Sequence, residues 1–286
     1  MKRRLLSMLA ALALGASALA GAVPAGAASL ATGQPPAVAK HVALGDSIAA
    51  GQGGGAPLDA CVRTGGGYGS QLDATPRFNM LRNAACSGAK IADVAATQLS
   101  QLNRGTTVVT LTVGANDLGL DQLYAVCAAA AAGAVDPAAC AQQAAIAGAT
   151  AGALVGPLSE LITAISERSP NAQIIVTGYP HLLEAPPALP QFAGLAALVA
   201  AVNGATDALN AAIQGAVAIA AADGADVHYA DVVDAFAGHG VQLVPGVPSA
   251  PWFGLDPVND PAGYLHPTFA GYAAYTDVIL GVLAGS

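Results

Sequence analysis

Three short runs of aliphatic and β-branched residues each stop at a glycine. They are His41-Val42-Ala43-Leu44 before Gly45, residues 107–113 before Gly114, and Ile174-Ile175-Val176-Thr177 before Gly178. None contains an acidic or basic side chain other than His41, so both faces of each run can be buried. Strands of that kind belong to parallel sheets covered by helices on both sides. The intervening stretches read as helices, over residues 91–102, 138–167 and 195–222, the last rich in alanine. Met80-Leu81 and Val227-His228-Tyr229 add short strands, and Tyr272, Tyr275, Ile279 and Val282 fall on one face of a final helix. The class is therefore α/β with a central parallel sheet. Sites in such sheets form at the carboxyl ends of the strands.

The first 27 residues stand apart. Lys2, Arg3 and Arg4 precede an apolar stretch that ends in Pro24-Ala25-Gly26-Ala27-Ala28. A basic start, an apolar middle and small residues at the cut read as a secretory signal peptide, residues 1–27. Residues 28–38 form a short leader, and residues 39–286 form one domain. Secretion into the extracellular space is the expectation. Removing the signal peptide leaves 7 basic against all 18 acidic residues, a net charge near −11. Phosphate backbones need basic surface, so no nucleic-acid partner is expected. No second apolar run looks long and uninterrupted enough to span a bilayer, so no stable membrane anchor is expected either. A monomer is expected.

Cys61, Cys86, Cys127 and Cys140 are an even set in an exported chain, which suggests two disulfides. Of three possible pairings, proximity favours Cys61–Cys86 and Cys127–Cys140. No C-x-x-C pair and no cysteine with histidine at ligand spacing occurs, so no metal is expected.

Four short blocks sit at strand ends or at a helix entrance: Gly45-Asp46-Ser47, Cys86-Ser87-Gly88-Ala89, Gly114-Ala115-Asn116-Asp117 and His266-Pro267. All four can converge on one cleft. In this order they resemble the SGNH (GDSL) hydrolase family, with Ser47, Gly88, Asn116 and His266 as the four name-giving residues. Further matches resemble its secreted actinobacterial branch: Ala49-Ala50-Gly51, Cys61-Val62-Arg63-Thr64 and Phe236-Ala237-Gly238-His239. The resemblance implies a three-layer α/β/α, flavodoxin-like fold and a serine esterase or lipase acting on small-molecule or lipid esters without cofactor. Ser47 would be the nucleophile and His266 the general base, since a hydroxyl attacks only once a base takes its proton. The backbone N–H groups of Ser47 and Gly88 and the amide of Asn116 would form the oxyanion hole. Gly88, lacking Cβ, would permit close backbone approach.

Two departures stand out. Many family members place an aspartate three residues before the histidine, and here that residue is Gly263. Either a backbone carbonyl near Gly263 orients His266, or Asp256 or Asp260 reaches in. The branch often carries a cysteine just after Gly238-His239, where this chain has Gly240-Val241-Gln242. Asp46 and Asp117 read as structural, His239 as a structural residue near the cleft or a rival base, and His181 as a loop residue. His41 and His228 read as satisfied core or edge histidines. Gly51 to Ala56 fits a loose dinucleotide fingerprint, but no helix clearly opens there. The apolar stretch Leu182-Leu183, Pro186-Pro187, Leu189-Pro190 and Phe192, with Pro251-Trp252-Phe253, would wall an acyl site or merely pack the loops; loop 180–192 would also be a candidate lid. Competing functions are a carbohydrate acetylesterase, a phospholipase or acyltransferase, and a catalytically silent cell-surface binding module on the same fold.

Overall fold

A computed structural model describes residues 38–286. The expected signal peptide, residues 1–27, and nearly all of the expected leader, residues 28–38, lie outside the described residues. In chain order the domain runs β1 (Ala39–Gly45), α1 (Ser47–Ala50), α2 (Tyr68–Asp73), β2 (Phe78–Asn83) and α3 (Ile91–Asp93), which continues through a π turn at Val94–Gln98 and a 3₁₀ turn at Leu99–Gln101. Then come β3 (Val108–Thr112), α4 (Ala115–Leu118), α5 (Leu120–Ala131), α6 (Pro137–Ala151), α7 (Val155–Arg168) and β4 (Gln173–Thr177). The chain ends with α8 (Ala193–Ala222), β5 (Val227–Ala230) and α9 (Phe269–Gly285).

The five strands are all parallel and lie in the order β2-β1-β3-β4-β5. That is the flavodoxin-like order, whose direction of winding reverses between β1 and β3. Residues 41–45 of β1 pair in register with 108–112 of β3, so Gly45 lies beside Thr112. β1, β3 and β4 are almost wholly buried, as their uncharged sequences require. β2 at the edge is mostly exposed or half-buried. Helices α2 and α9 pack together on one face, while α7 and α8 pack together on the other.

Both disulfides join sequence neighbours, Cys61 to Cys86 and Cys127 to Cys140. The second ties α5 to α6. The structure corrects one expectation: Pro137–Arg168 and Pro190–Ala222 are each long and apolar enough, by length and composition, to cross a membrane. Their apolarity comes largely from alanine, which breaks the visual run without lowering the average. On α8 a stripe through Val202, Leu209, Ile213, Ala216 and Ala220 is buried, and the helix packs on α5, α6, α7 and β5.

Replacing Cys127 and Cys140 together by alanine should cost roughly 3 kcal/mol, the loop-closure value for a ring of this size. Urea unfolding with unchanged m would measure it. A loss below about 1 kcal/mol would mean that α5 is held against α6 by packing alone.

Candidate active site

The nucleophile candidate is positioned by a tight exit from β1. Gly45 adopts φ 131°, and a Cβ there would strike the carbonyl of Thr112 on β3. Its backbone is clamped by the buried Gln98 side chain, which accepts from Gly45 N–H at 2.8 Å and donates to Gly45 O at 2.9 Å. Asp46 then caps α1, accepting from Ile48 N–H at 2.9 Å. Ser47 is the first residue of that helix, so its own N–H has no intrahelical partner.

Asp46 is fully buried, and its second oxygen accepts a 2.6 Å hydrogen bond from the hydroxyl of Tyr179, just beyond β4. Burial pushes its carboxyl up to about 7, against the opposing pull of the Tyr179 and backbone hydrogen bonds. Asn210 of α8 holds Tyr179 through both its backbone N–H and its carbonyl, each at 2.9 Å. Asp117 has the other structural role read from sequence: it accepts from Ile91 N–H at 3.1 Å.

His266 meets Ser47 from the far end of the chain. Its Nε2 lies 3.0 Å from Ser47 Oγ, and its Nδ1 lies 3.0 Å from the carbonyl of Tyr264. A carbonyl only accepts, so Nδ1 carries the proton and Nε2 offers its lone pair to the serine hydroxyl. Burial lowers the pKa of His266, while the Tyr264 carbonyl and the nearby Asp260 pull it up. Of the alternatives left open at Gly263, the neighbour on Nδ1 is a carbonyl, one residue further along. Asp260 accepts from Gly263 N–H at 3.0 Å, and Asp256 is occupied by Asn259 and Val258. A Cβ on residue 263 would fall on the Asp260 carboxylate. Any side chain at 263 would require the Asp260 carboxylate to leave its hydrogen bond to Gly263 N–H.

Gly88 and Asn116 line the same cleft as Ser47 and His266. Gly88 sits at φ 80° with open space where a Cβ would point. No protein group approaches it closely, so glycine is needed for the left-handed backbone. Its loop is tethered by the Cys61–Cys86 bridge and by hydrogen bonds from Cys86 N–H to Gly45 O and from Ser87 N–H to Cys61 O, both 3.0 Å. The Asn116 amide donates to Ala89 O at 3.0 Å, which fixes it beside that loop. Ser47 follows β1 and Asn116 follows β3, so the two flank the reversal of the sheet's winding.

Other candidates fall elsewhere. His239 stacks on Trp252 with ring centroids 3.6 Å apart, and its Nδ1 meets Ala250 O. His181 faces Asp207, and His228 faces Asp226. His41 bonds Thr110 through Nε2, but its buried Nδ1 has no partner among the described residues, so it is only half satisfied. Of the proline-rich stretch only Pro180, Leu182 and Leu183 reach the cleft or its continuation; Pro186, Pro187, Leu189 and Phe192 line a separate groove against α8. The glycines of the loose dinucleotide fingerprint serve packing: a Cβ on Gly53 would strike Pro267 O and crowd His266.

The model of the GDSL-like lipase/acylhydrolase family matches residues 43–274. The chain belongs to that family. It is accordingly a carboxylic ester hydrolase. Lipase 1 of Streptomyces coelicolor is 32% identical over 285 residues, which span 97% of this chain and 98% of that protein. The crystal structure of an extracellular lipase from Streptomyces rimosus aligns with TM-score 0.72 and 30% identity, covering 85% of this chain and 99% of that one. Phospholipase A1 from Streptomyces albidoflavus aligns with TM-score 0.72 and 29% identity, covering 86% and 99%.

Three residues of this GDSL-family hydrolase's site carry no signal that sequence reading picked up. Gln98 sits mid-helix with no motif around it, and Tyr179 is an unremarked residue after a strand. Gln52 lies in the glycine loop, where its amide donates to Ala262 O at 2.6 Å and packs by the imidazole. A tyrosine or glutamine near a strand's carboxyl end was the available clue.

Asp46 generates a test with a defined sign. Its pKa is raised on folding, so its contribution is complete below about pH 4 and is lost as pH rises toward 7. Asp46→Asn keeps an acceptor for Ile48 N–H and turns its amide N–H toward the Tyr179 oxygen, without a buried charge. Chemical denaturation should show wild type losing stability relative to the variant across that window. A constant difference would place the carboxyl's titration outside it.

Proposed function

We propose that the chain is an exported esterase or lipase that cleaves acyl esters through a Ser47–His266 dyad. The observation that carries this reading is the imidazole held between Ser47 Oγ and a backbone carbonyl, both at 3.0 Å, at the rim of a cleft shared with Gly88 and Asn116. Neutral His266 takes the serine proton as Oγ bonds to the ester carbonyl carbon. The carbonyl oxygen becomes an oxyanion, to which the N–H groups of Ser47 and Gly88 and the Asn116 amide donate. Collapse breaks the ester C–O bond, and His266 returns the proton to the departing alcohol. Water then repeats the sequence on the acyl-serine, releasing the acid. The Tyr264 carbonyl contributes orientation and a dipole, not a full charge.

Export is supported by the signal-like N-terminus, the two disulfides and the extracellular lipase among the relatives. An acyl substrate fits the cleft's side chains, among them Ile48, Leu120, Tyr124, Leu182 and Phe253. A phospholipase is the second reading, favoured by the relative named phospholipase A1.

Ser47→Ala should abolish hydrolysis of p-nitrophenyl butyrate, and a fluorophosphonate should label Ser47 alone in the wild type. Turnover by the variant, or label on another serine, rejects the assignment.

The lowered pKa of His266 predicts an acid limb of kcat/KM below pH 6.5, because only neutral imidazole can act as base. Asp260 is one of the groups that raise that pKa, so Asp260→Asn should move the limb to still lower pH with kcat within a few fold. A loss near the ~10⁴ seen when a triad acid becomes its amide would instead make Asp260 a triad member.

A further inference from the structure

The cleft at Ser47 has a volume of about 470 Å³, and it does not end at the reacting atoms. Five residues, Tyr124, Ala128, Leu182, Tyr264 and Leu265, line both it and a second cavity of about 570 Å³. The two spaces therefore share walls. Their chemistry differs. The first holds Asp46, Asp121 and His266 among its lining residues. None of the residues lining the second carries a charge, and the far wall is built from Leu195 and Leu198 of α8 with Leu243.

One helix floors both. Leu120, Tyr124 and Ala128 of α5 line the first cavity, and Tyr124, Ala128 and Ala132 line the second. These are every fourth residue, so they form a single stripe along the helix. The stripe begins four residues after Asn116, the proposed oxyanion donor, and runs away from it. At 1.5 Å per residue α5 is about 16–18 Å long. Extended chain advances roughly 3.5 Å per three bonds, so that length matches an alkyl chain of about fifteen carbons. The stripe changes character along its course. Its near part bears Leu120 and Tyr124, and its far part bears only alanine, exposed in the groove. Small residues leave the volume that a chain would fill. The Cys127–Cys140 bridge fixes the helix against α6 at this point, with Cys127 itself in the wall of the second cavity.

From this continuity we infer that the α5 stripe is the acyl-chain track of the enzyme, and that Ala128 and Ala132 set how long an acyl chain it accepts. The inference rests on the Ser47 mechanism proposed above. The acyl chain, not the alcohol, is assigned because the floor starts beside the donors that hold the carbonyl oxygen. A saturated chain needs no polar partner, and burying each methylene is worth about fourfold in binding. Specificity should therefore climb with acyl length until the track is full.

The test uses the full-length secreted enzyme with p-nitrophenyl acetate, butyrate, octanoate, laurate and palmitate, in which only the acyl part varies. Wild type should show kcat/KM rising at least tenfold from butyrate to octanoate or laurate. Ala128→Trp blocks the shared wall. It should lower laurate at least tenfold more than it lowers butyrate. Ala132→Trp lies one turn further on, so it should spare octanoate and lower palmitate. Both alanines are exposed, and an unchanged circular-dichroism spectrum and melting temperature certify folding of each variant. A flat wild-type profile, or equal loss at every length, overturns the track while leaving the Ser47 mechanism intact. Failure of the mechanism would appear separately, as butyrate turnover surviving Ser47→Ala. Dodecyl acetate supplies the remaining arm. If Ala128→Trp impairs dodecyl acetate and spares laurate, the track holds the alcohol and the acyl assignment is wrong.

Discussion

The hydrogen bond between the Tyr179 hydroxyl and the Asp46 carboxyl sits beneath the rest of the site. It joins the carboxyl ends of β1 and β4, which are not neighbours in the sheet, across the intervening end of β3. Asn210 then couples it to α8, and Tyr275 couples α9 to the same place by donating to Gly178 O at 3.1 Å. Around the carboxyl the tyrosines stay protonated: burial first, and then the proximity of Asp46, hold Tyr179 and Tyr272 well above the ordinary phenol range. A buried acid is expensive unless its oxygens are satisfied. Here the acceptors are used to fix the helix turn that carries Ser47. The proposed nucleophile is thus placed by a polar layer that reaches both faces of the sheet.

A second anchoring layer runs from α9 back to the glycine-rich loop. Tyr272 donates to Gln52 O at 2.7 Å, and Tyr68 bonds Thr112, which in turn bonds Thr177 at 2.6 Å. Tyr68 and Tyr275 stack with centroids 5.7 Å apart. These rings bury apolar area and end in hydroxyls that need partners, so they specify register as well as fill space. Close contact of Gly51 with Gly67 and of Gly54 with Gly66 brings the loop down onto α9's approach. Such crossings explain Gly51, Gly54, Gly66 and Gly67 of this glycine-rich stretch.

The strands were legible because burial on both faces leaves a simple mark: uncharged runs ending at Gly45, Gly114 and Gly178. The convergence of Ser47, Gly88, Asn116 and His266 was legible because each lies where an α/β sheet gathers its loops. Helix α5 was not. Its sequence is dominated by alanine after Tyr124, which packs, exposes or lines a groove with equal ease, so no periodic contrast announces it. The partner of Nδ1 was legible only as a choice between a carbonyl near Gly263 and Asp256 or Asp260, and the structure has the carbonyl of Tyr264 there. A backbone carbonyl has no letter in the sequence, and Gly263 could report only that a side chain was missing. The proline-rich loop left two roles open, and they divide along it: Leu182 lines the cleft, whereas Pro186, Pro187 and Phe192 line a groove against α8 away from it.

The Tyr264 carbonyl has a consequence for how this enzyme can vary. An acid that orients a base can be lost in one substitution, whereas a carbonyl survives any change of side chain. The proposed dyad is therefore shielded from point replacement at position 264 itself. The exposure moves to the shape of the loop. Leu265 holds φ 58°, a left-handed conformation unusual for a bulky residue, and it stands between the carbonyl and the imidazole. Its N–H is pinned to Gly254 O at 2.8 Å, and Gly254 N–H returns to His266 O at 2.9 Å. Heredity in this corner is written in the pairing of two strands of loop, and drift at distant residues such as Gly254 could silence the proposed base while Ser47 and His266 both remain in place.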